Sequence, residues 1–519
     1  MFFEIIFLCR KNELLQPPIS SVSKQKYDDE KRGKQAFNDQ FPALCAFCIL
    51  LSLIGAPLAN NDAGEERKMR KIVILLTPLL LALAVASADA ADFYVSVETG
   101  GAGRSADGSK AQPWKDLQVA LDRANPGDTI HIAGGNYLGT SDRGYHVMEK
   151  PVSLRGGYSN DFSSRDVLGH LTMIQPPASS NKTAQNNALL SLGNPGKVGQ
   201  FKVTGEITID GIVFDRGLSN GYHPAKGKPA GVETGMLVHA PGQGVNGAEK
   251  NVLTIKKPLI AFVTGSSGDI TIQNCVFANS GFYGILGTHV KGKVTIKNNI
   301  FVANTFAAVE ISGQTGQNAN TYKTEIDFSN NTVLFSWSRT NDLGDMGYGY
   351  RFMTGVNTIV RNCIIGTSVL AGLERTRTDS TAADAAKRKT GAENNAFFLN
   401  RKGDLYTFAG SNQMLTVWAK NFEDREEIDP YQGNIELTGD KLKSYVNRAY
   451  LEGFIGMVYS ESMDYRPDSP ANNFRRAFGM NQVATVTNKV DMYANCYPLG
   501  DALKLFGALQ GYGAQAIEN

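Results

Sequence analysis

Glu310, Arg351 and Glu374 are the residues of this 519-residue chain whose types and spacing best suit chemistry on an anionic partner. Glu310 and Glu374 each stand twelve residues beyond an asparagine that closes a short apolar-polar alternation, Asn298 and Asn362, and Leu286 stands at the same offset from Asn274. The stretch after Asn330 is longer, and aligning Tyr350-Arg351-Phe352 with Val309-Glu310-Ile311 puts Arg351 in the same row. A carboxylate, guanidinium, carboxylate line has two readings. As a cross-strand ion ladder on an exposed face it contributes about 0–1 kcal/mol per pair. As a recognition row, with Arg375 and Arg377 nearby, it grips a sugar acid through the guanidinium fork. Ile285, Val309, Tyr350 and Leu373 flank the row with alternate pointing, so it is expected to face outward and stay partly exposed. Two coil repeats separate the glutamates, about 9.6 Å, the wide limit for an inverting pair of carboxylates. Arg351 between them would keep both ionised and remove the general acid such a pair needs.

Other residues near the row carry weaker signals. Asn341, Asp342 and Asp345 offer oxygen ligands for calcium, although three ligands are too few for a cage and most such loops are only turns. Tyr348 and Tyr350 present a hydroxyl or a stacking face for a sugar ring, and one of them equally suits the core. His289, with Lys291 and Lys293, would border the same face, while a lone histidine is more often a satisfied structural residue. A long insertion between Gly211 and Asn274 carries His223 and His239, and long loops on rigid scaffolds are where binding concentrates.

A repeated phrase must position these residues. It reads ITIDGIVF from Ile207, ITIQNCVF from Ile270, VTIKNNIF from Val294, IDFSNNTV from Ile326, TIVRNCII from Thr358 and, more weakly, ENNAFF from Glu393. Its fifth position is Gly211, Asn274, Asn298, Asn330, Asn362 and Asn394, with asparagine spacings of 24, 32, 32 and 32. The period and the β-branched alternation describe strand, bend, strand in a solenoid. Asparagine tolerates the left-handed bend, and one per turn is expected to stack into an interior amide ladder. Cys275 and Cys363 sit inside the apolar pattern and read as small buried hydrophobes. The 54 glycines against 19 prolines fit many tight turns, and the chain is expected to be all-β. A net charge of +2 gives no global field to recruit nucleic acid.

The segment Phe93 to Tyr137, a strand, a Gly/Asp/Ser loop, an amphipathic stretch and then PGDTI, resembles the start of right-handed parallel β-helix proteins of the pectin-lyase-like superfamily. The phrase VSLRGGYSNDFSSRD from Val152 is similar to a coil-plus-loop phrase of bacterial members. The resemblance implies an N-terminal capping helix, expected from Pro113 to Ala124, a β-helix over 91–400 and a mixed C-terminal capping extension over 401–519. That extension is expected to hold helices around Lys441 to Leu451 and from Asp501 as N-cap. Residues 69–90 read as a signal peptide, with a basic start, an apolar run and small-residue cleavage sites. Residues 1–68 read as an N-terminal extension of the true start.

The superfamily spans lyases, hydrolases, epimerases and non-catalytic adhesins, so the resemblance leaves two functional expectations. The first is a secreted or envelope polysaccharide lyase acting at a uronic acid, with Arg351, Arg375 and His289 as catalytic candidates. Tyr348 is a further choice of base, and Glu310, Glu374, Tyr348 and Arg377 would bind substrate, with calcium at Asn341, Asp342 and Asp345. The second is a non-catalytic surface protein binding glycans or partners through the solenoid face. Both place a monomer outside the cytoplasm on an acidic polysaccharide.

Overall fold

The computed structural model describes residues 90–138, 145–176, 187–217, 237–239, 251–253, 257–316, 320–336, 347–409 and 413–438, with shorter pieces of 443–518. The extension at 1–68, the signal peptide but for Ala90, and His223 lie outside them, as do 441, 442, 444 and 449; the helix expected around Lys441 to Leu451 is corrected by the rest of that stretch, where Tyr445, Val446 and Asn447 are not helical.

One turn of the chain shows how the phrase builds the fold. Thr324–Ser329 forms a strand, Asn330 bends it at φ 52°, Thr332–Leu334 follows, and Phe335 bends again at φ 59°. Tyr348–Arg351 makes the third side before Val356–Arg361 returns onto Thr324–Ser329 in parallel register. The solenoid therefore has three faces. Face A holds the strands that end at the asparagines, face B the short strands that follow them, and face C the strands of the charged row. Parallel pairing continues along each face, and the fold is a right-handed parallel β-helix, the hand that parallel crossovers adopt.

The irregular spacing has a local cause. Ile260–Gln273 and Ile285–Lys297 run from face C into face A as single long strands, irregular near Gly265 and Gly268, both at positive φ. No loop intervenes there, which gives the 24-residue turn; the turns after Asn298 and Asn362 add residues between faces C and A, and the turn after Asn330 adds them between faces B and C. The interior is mostly apolar, with Ile209, Ile272, Ile296, Phe328 and Val360 stacked in register. Phe214, Phe277 and Phe301 stack at centroid distances of 5.2 and 4.6 Å.

The fifth-position asparagines do take the left-handed bend, Asn274, Asn298, Asn330, Asn362 and Asn394 all lying at φ between 51° and 57°. The interior ladder, however, is one residue further on. Asn298 is only half-buried, its Nδ2 donating to Asn274 Oδ1 at 2.7 Å. The buried column is Cys275, Asn299, Asn331, Cys363, Asn395 and, less fully buried, Asn434. Asn299 Nδ2 donates to Asn331 Oδ1 at 3.0 Å, and Asn331 Nδ2 to the Ile296 carbonyl at 2.8 Å. Asn299 Oδ1 and Asn395 Oδ1 accept the backbone N–H groups of Cys275 and Cys363. The reason is geometric: the left-handed residue turns its own side chain outward and its successor's inward. Both thiols are enclosed, and burial pushes their pKa up to about 12.

Both ends depart from the sequence reading. The capping helix spans only Leu117–Arg123, because Asp116 accepts the Gln118 N–H as N-cap and leaves Pro113 and Trp114 extended. It buries Leu117, Gln118, Ala120 and Leu121. The solenoid also continues past residue 400: Gly403–Ala409 pairs with Ala371–Glu374, and Ile435–Glu436 with Ala396–Phe398. The last helix is Leu499–Leu503 with Pro498 as N-cap, so Asp501 lies inside its first turn and binds Lys504 at 2.9 Å. Residues near the C-terminus fold back over face B. Tyr445, Leu451, Tyr497 and Leu505 pack with Val276, Ile300, Leu334 and Ile364. Backbone N–H groups of Gly513, Ala514 and Gln515 donate to the Asn362 carbonyl, Thr332 Oγ1 and Asn298 Oδ1, three successive turns.

Candidate functional site

The charged row forms as the offsets required. Glu310 pairs with Arg351 and Arg351 with Glu374 across parallel strands, with Leu286 before and Tyr406 after them. Val309, Tyr350 and Leu373 fill the interior, so the row points away from it. Arg351 Nε donates to Glu374 Oε2 at 2.7 Å, and Nη1 donates to Glu310 Oε2 and to the Tyr283 hydroxyl, the latter at 3.0 Å. Glu374 Oε1 accepts from the Thr376 N–H at 2.9 Å and from its hydroxyl.

The expectation of an exposed row is corrected by burial. Side-chain exposure is 4% for Arg351, 0% for Glu374 and 16% for Glu310. Tyr283, Phe306 and Tyr348 make an aromatic cluster on the outer side, with Phe282, Leu286 and Tyr406 against it. The Arg351 guanidinium lies 5.4 Å from the Tyr348 ring centroid, and Tyr348 stacks on Tyr406 at 5.9 Å. Burial alone would make Arg351 less basic, but Glu374 and Glu310 outweigh it and hold its pKa above the ordinary arginine value. Burial, with Glu310 beside it, raises the pKa of Tyr283, so its phenol stays protonated.

Just past the row the chain becomes arginine-rich. Arg375 is half-buried, its Nε buried without a hydrogen-bond partner, and burial together with Arg388 lowers its pKa to about 10 despite Glu427 and Glu374. Arg388 bridges Asp379 and the carbonyls of Arg377 and Phe352, tying down the 375–389 loop. Tyr322 donates to the same Asp379. Arg377 is exposed. The structure thus gathers Glu310, Arg351, Glu374, Tyr348 and Arg375, with Arg377 on the loop that leads away. Sequence reasoning missed Tyr283 and Thr376. Thr376 lies two residues past Glu374 and was open to inspection, whereas Tyr283 comes from a corner whose path no repeat offset gives.

His289 stands apart. It is fully buried in the bulge between faces C and A, with its ring nitrogens 3.0 Å from Thr324 Oγ1 and the Gly268 carbonyl. Burial lowers its pKa to about 4. It is a positioned structural residue, which corrects its candidacy as a base. In the unfolded chain it protonates near pH 6.5, so the stability it lends is full above that pH and is lost as pH falls through 4. Chemical denaturation of His289→Gln at pH 7 and below pH 4 is expected to show this: acidification should cost the wild type about 3 kcal/mol more than the variant. Equal acid sensitivity of the two proteins would contradict the buried neutral ring.

Asn341, Asp342 and Asp345 lie outside the described residues. Among the described residues no three His, Cys, Asp or Glu side chains gather as a metal site, and no helix is long and apolar enough to cross a membrane.

The chain is, on its strand pairing, a parallel β-helix protein with an enclosed ion cluster on face C. No protein-family model and no curated protein sequence matches it. Among solved structures it is similar to a rhamnogalacturonan lyase, at 11% identity and TM-score 0.34 over 62% of this chain and 78% of that one. It is also similar to pectate lyase Pel9A, at 11% identity and TM-score 0.26 over 62% and 72% of the two chains. A Family 28 exopolygalacturonase of Yersinia enterocolitica follows, at 12% identity and TM-score 0.24 over 67% and 66%. Likenesses this distant add nothing to what the strand pairing already establishes.

Proposed function

We propose that this chain acts outside the cytoplasm on an acidic polysaccharide laid along face C, cleaving it by β-elimination at a uronic acid. The observation that carries the reading is Arg375: a half-buried guanidinium with an unbonded Nε and a lowered pKa, adjoining the Glu374–Arg351 pair. A cation in that state suits both needs of the reaction, since it attracts the uronate and sits closer than an ordinary arginine to acting as a base. The base removes the proton beside the carboxylate, those electrons form the ring double bond, and the bond to the glycosidic oxygen breaks as that oxygen takes up a proton. Arg377, exposed, supplies a carboxylate contact, and Glu310 forms the rim. Arg351 is then a positioning residue that fixes Glu310 and Tyr283. Calcium at Asn341, Asp342 and Asp345 belongs to the same proposal as an aid to uronate binding.

Arg375→Ala is expected to lose about 10²–10⁴-fold in turnover while its thermal midpoint stays close to wild type. The assay follows ultraviolet absorbance of the unsaturated uronate over a panel of uronic-acid polymers, with and without calcium. Absence of that absorbance from the wild type on every polymer would end the lyase reading. One observation favours a second reading, a non-catalytic glycan-binding surface protein: Arg351 is already saturated by two glutamates and a tyrosine. Retained polymer binding without product would select it.

A further inference from the structure

Asp128 closes the turn that leads into the strand Thr129–Ala133, and its carboxylate has an uneven set of partners. The residue is 4% exposed, yet among the described residues no lysine, arginine or histidine pairs with it. It accepts two backbone N–H groups instead: Asn125 donates to Oδ2 at 2.7 Å and Ala91 to Oδ1 at 2.8 Å. Asn125 belongs to the same turn, so the first bond is the local one that an aspartate there provides. Ala91 reaches in from 37 residues away. Its carbonyl also accepts the Thr129 N–H at 2.9 Å. Ala91 is thus held at both backbone groups, one step before Asp92–Val95 pairs with Thr129–Ala133. Ala90 and Ala91 are themselves exposed, and the compact unit that carries the solenoid begins at Asp89. The sequence offers two small-residue cleavage sites here, Ala86-Ser87-Ala88 and Ala88-Asp89-Ala90. Cutting after Ala88 keeps the Ala91 nitrogen an amide, whereas cutting after Ala90 turns it into an amine.

We propose that the chain is processed at the Ala90–Ala91 bond and that the α-ammonium group this frees is the countercharge of Asp128. An endopeptidase of the export route adds water across the bond. The hydroxyl goes to the Ala90 carbonyl carbon, the C–N bond breaks, and the nitrogen leaves as an amine. That amine takes the proton of the new carboxyl group, so the products are the Ala90 carboxylate and the Ala91 ammonium, with water the only co-reactant. The Ala91 nitrogen already stands 2.8 Å from Asp128 Oδ1, and it needs no new position to make the pair. A neutral N–H bond becomes a charge-assisted one, roughly twice as strong. The burial of Asp128 favours this outcome, because a carboxylate withdrawn from water is costly until a cation joins it. A cut two residues earlier would place the ammonium on Asp89 and leave Asp128 with amides alone. The choice between the two cleavage sites therefore decides whether the first turn of the solenoid closes on an ion pair. Face C takes no part in this inference, which stands whether or not the reading of that site holds.

The test begins with the full chain, produced with its leader and exported, and its product sequenced from the N-terminus, which should be Ala91. Ala90→Gln removes the second cleavage site and keeps the first, so its product should begin at Asp89. Asp128 is untouched in both, and urea unfolding compares them. At pH 6.5 the product beginning at Ala91 should have an unfolding equilibrium constant about threefold to tenfold smaller. An ammonium whose pKa Asp128 raises above the ordinary terminal value of about 7.7–8.0 stabilises fully below that range. Its contribution fades as pH climbs through the raised value, so the two products should converge by about pH 10. The charged groups on the elements around this corner are Asp92, which binds His131 at 2.8 Å, Asp122 and Arg123 in the capping helix, Lys150, which donates to the Asp122 carbonyl, and Arg155. All are common to both products and cancel in the comparison. Asp128→Asn should erase the difference at pH 6.5. A wild-type product that begins at Asp89 or keeps its leader, equal stability of the two products at pH 6.5, a difference that persists at pH 10, or one that survives Asp128→Asn would each overturn the proposal.

Discussion

Arg351→Ala is expected to lower the unfolding free energy by about 3–5 kcal/mol, because it leaves the Glu374 carboxylate fully enclosed without its ion-paired guanidinium. The partly exposed row expected from the sequence would instead lose a glycan contact at little cost in stability. The difference is burial. An exposed pair would lose its partner to water at little cost, but Glu374 has no water to turn to, and Thr376 supplies only neutral hydrogen bonds. Arg351→Met combined with Glu374→Leu should recover much of the loss, since an apolar pair replaces the buried charges. Urea unfolding of these two proteins, together with Arg351→Met and Glu374→Leu alone, completes the cycle. A single Arg351→Ala variant within about 1 kcal/mol of wild type would mean that the cluster behaves as a surface ladder.

The second large effect concerns the buried column. Asn331→Leu removes the acceptor for the Asn299 N–H and Nδ2 and the donor to the Ile296 carbonyl. With each buried group left unpaired costing about 1–3 kcal/mol, the expected loss is about 3 kcal/mol or more. Asn298→Leu should cost less, about 1–2 kcal/mol for forcing a branched residue into the left-handed bend, because its half-buried amide partners can reach water. Asn331→Cys should be tolerated best of the three, since Cys275 and Cys363 already occupy equivalent positions. Equilibrium unfolding ranks them, and a costlier Asn298→Leu would return the ladder to the fifth position.

These corrections mark where the sequence was readable. The strand, bend, strand period was legible because each Asn must do the same backbone job at φ near 55°, and the register of Glu310, Arg351 and Glu374 followed from it. The buried column was harder to see because cysteine interrupts it at two positions, so a search for asparagine alone finds the corner and not its neighbour. The enclosure of Arg351 was not legible at all. It depends on Tyr283 and Tyr406, which come from a corner before one turn and a strand two turns later. His289 carried no local sign of burial either, since its setting is a bulge made by glycines at 265 and 268. Secondary periodicity fixes which side a residue points to, while tertiary cover decides what that side meets.

Solenoids ordinarily unfold piecemeal, since each turn touches only its neighbours and the ends fray first. The returning segment changes that arithmetic here. Gln515 and Tyr497 hold residues 217 and 218 positions earlier in the chain, so opening a middle turn must also release this covering segment. Local breathing is thereby coupled to loss of the segment over face B, and the molecule should melt as one cooperative unit. A ribosome also delivers that segment after the turns it covers. Until it arrives, the apolar outside of Val276, Ile300, Leu334 and Ile364 stands uncovered, and the nascent solenoid is at its most adhesive just before that segment docks.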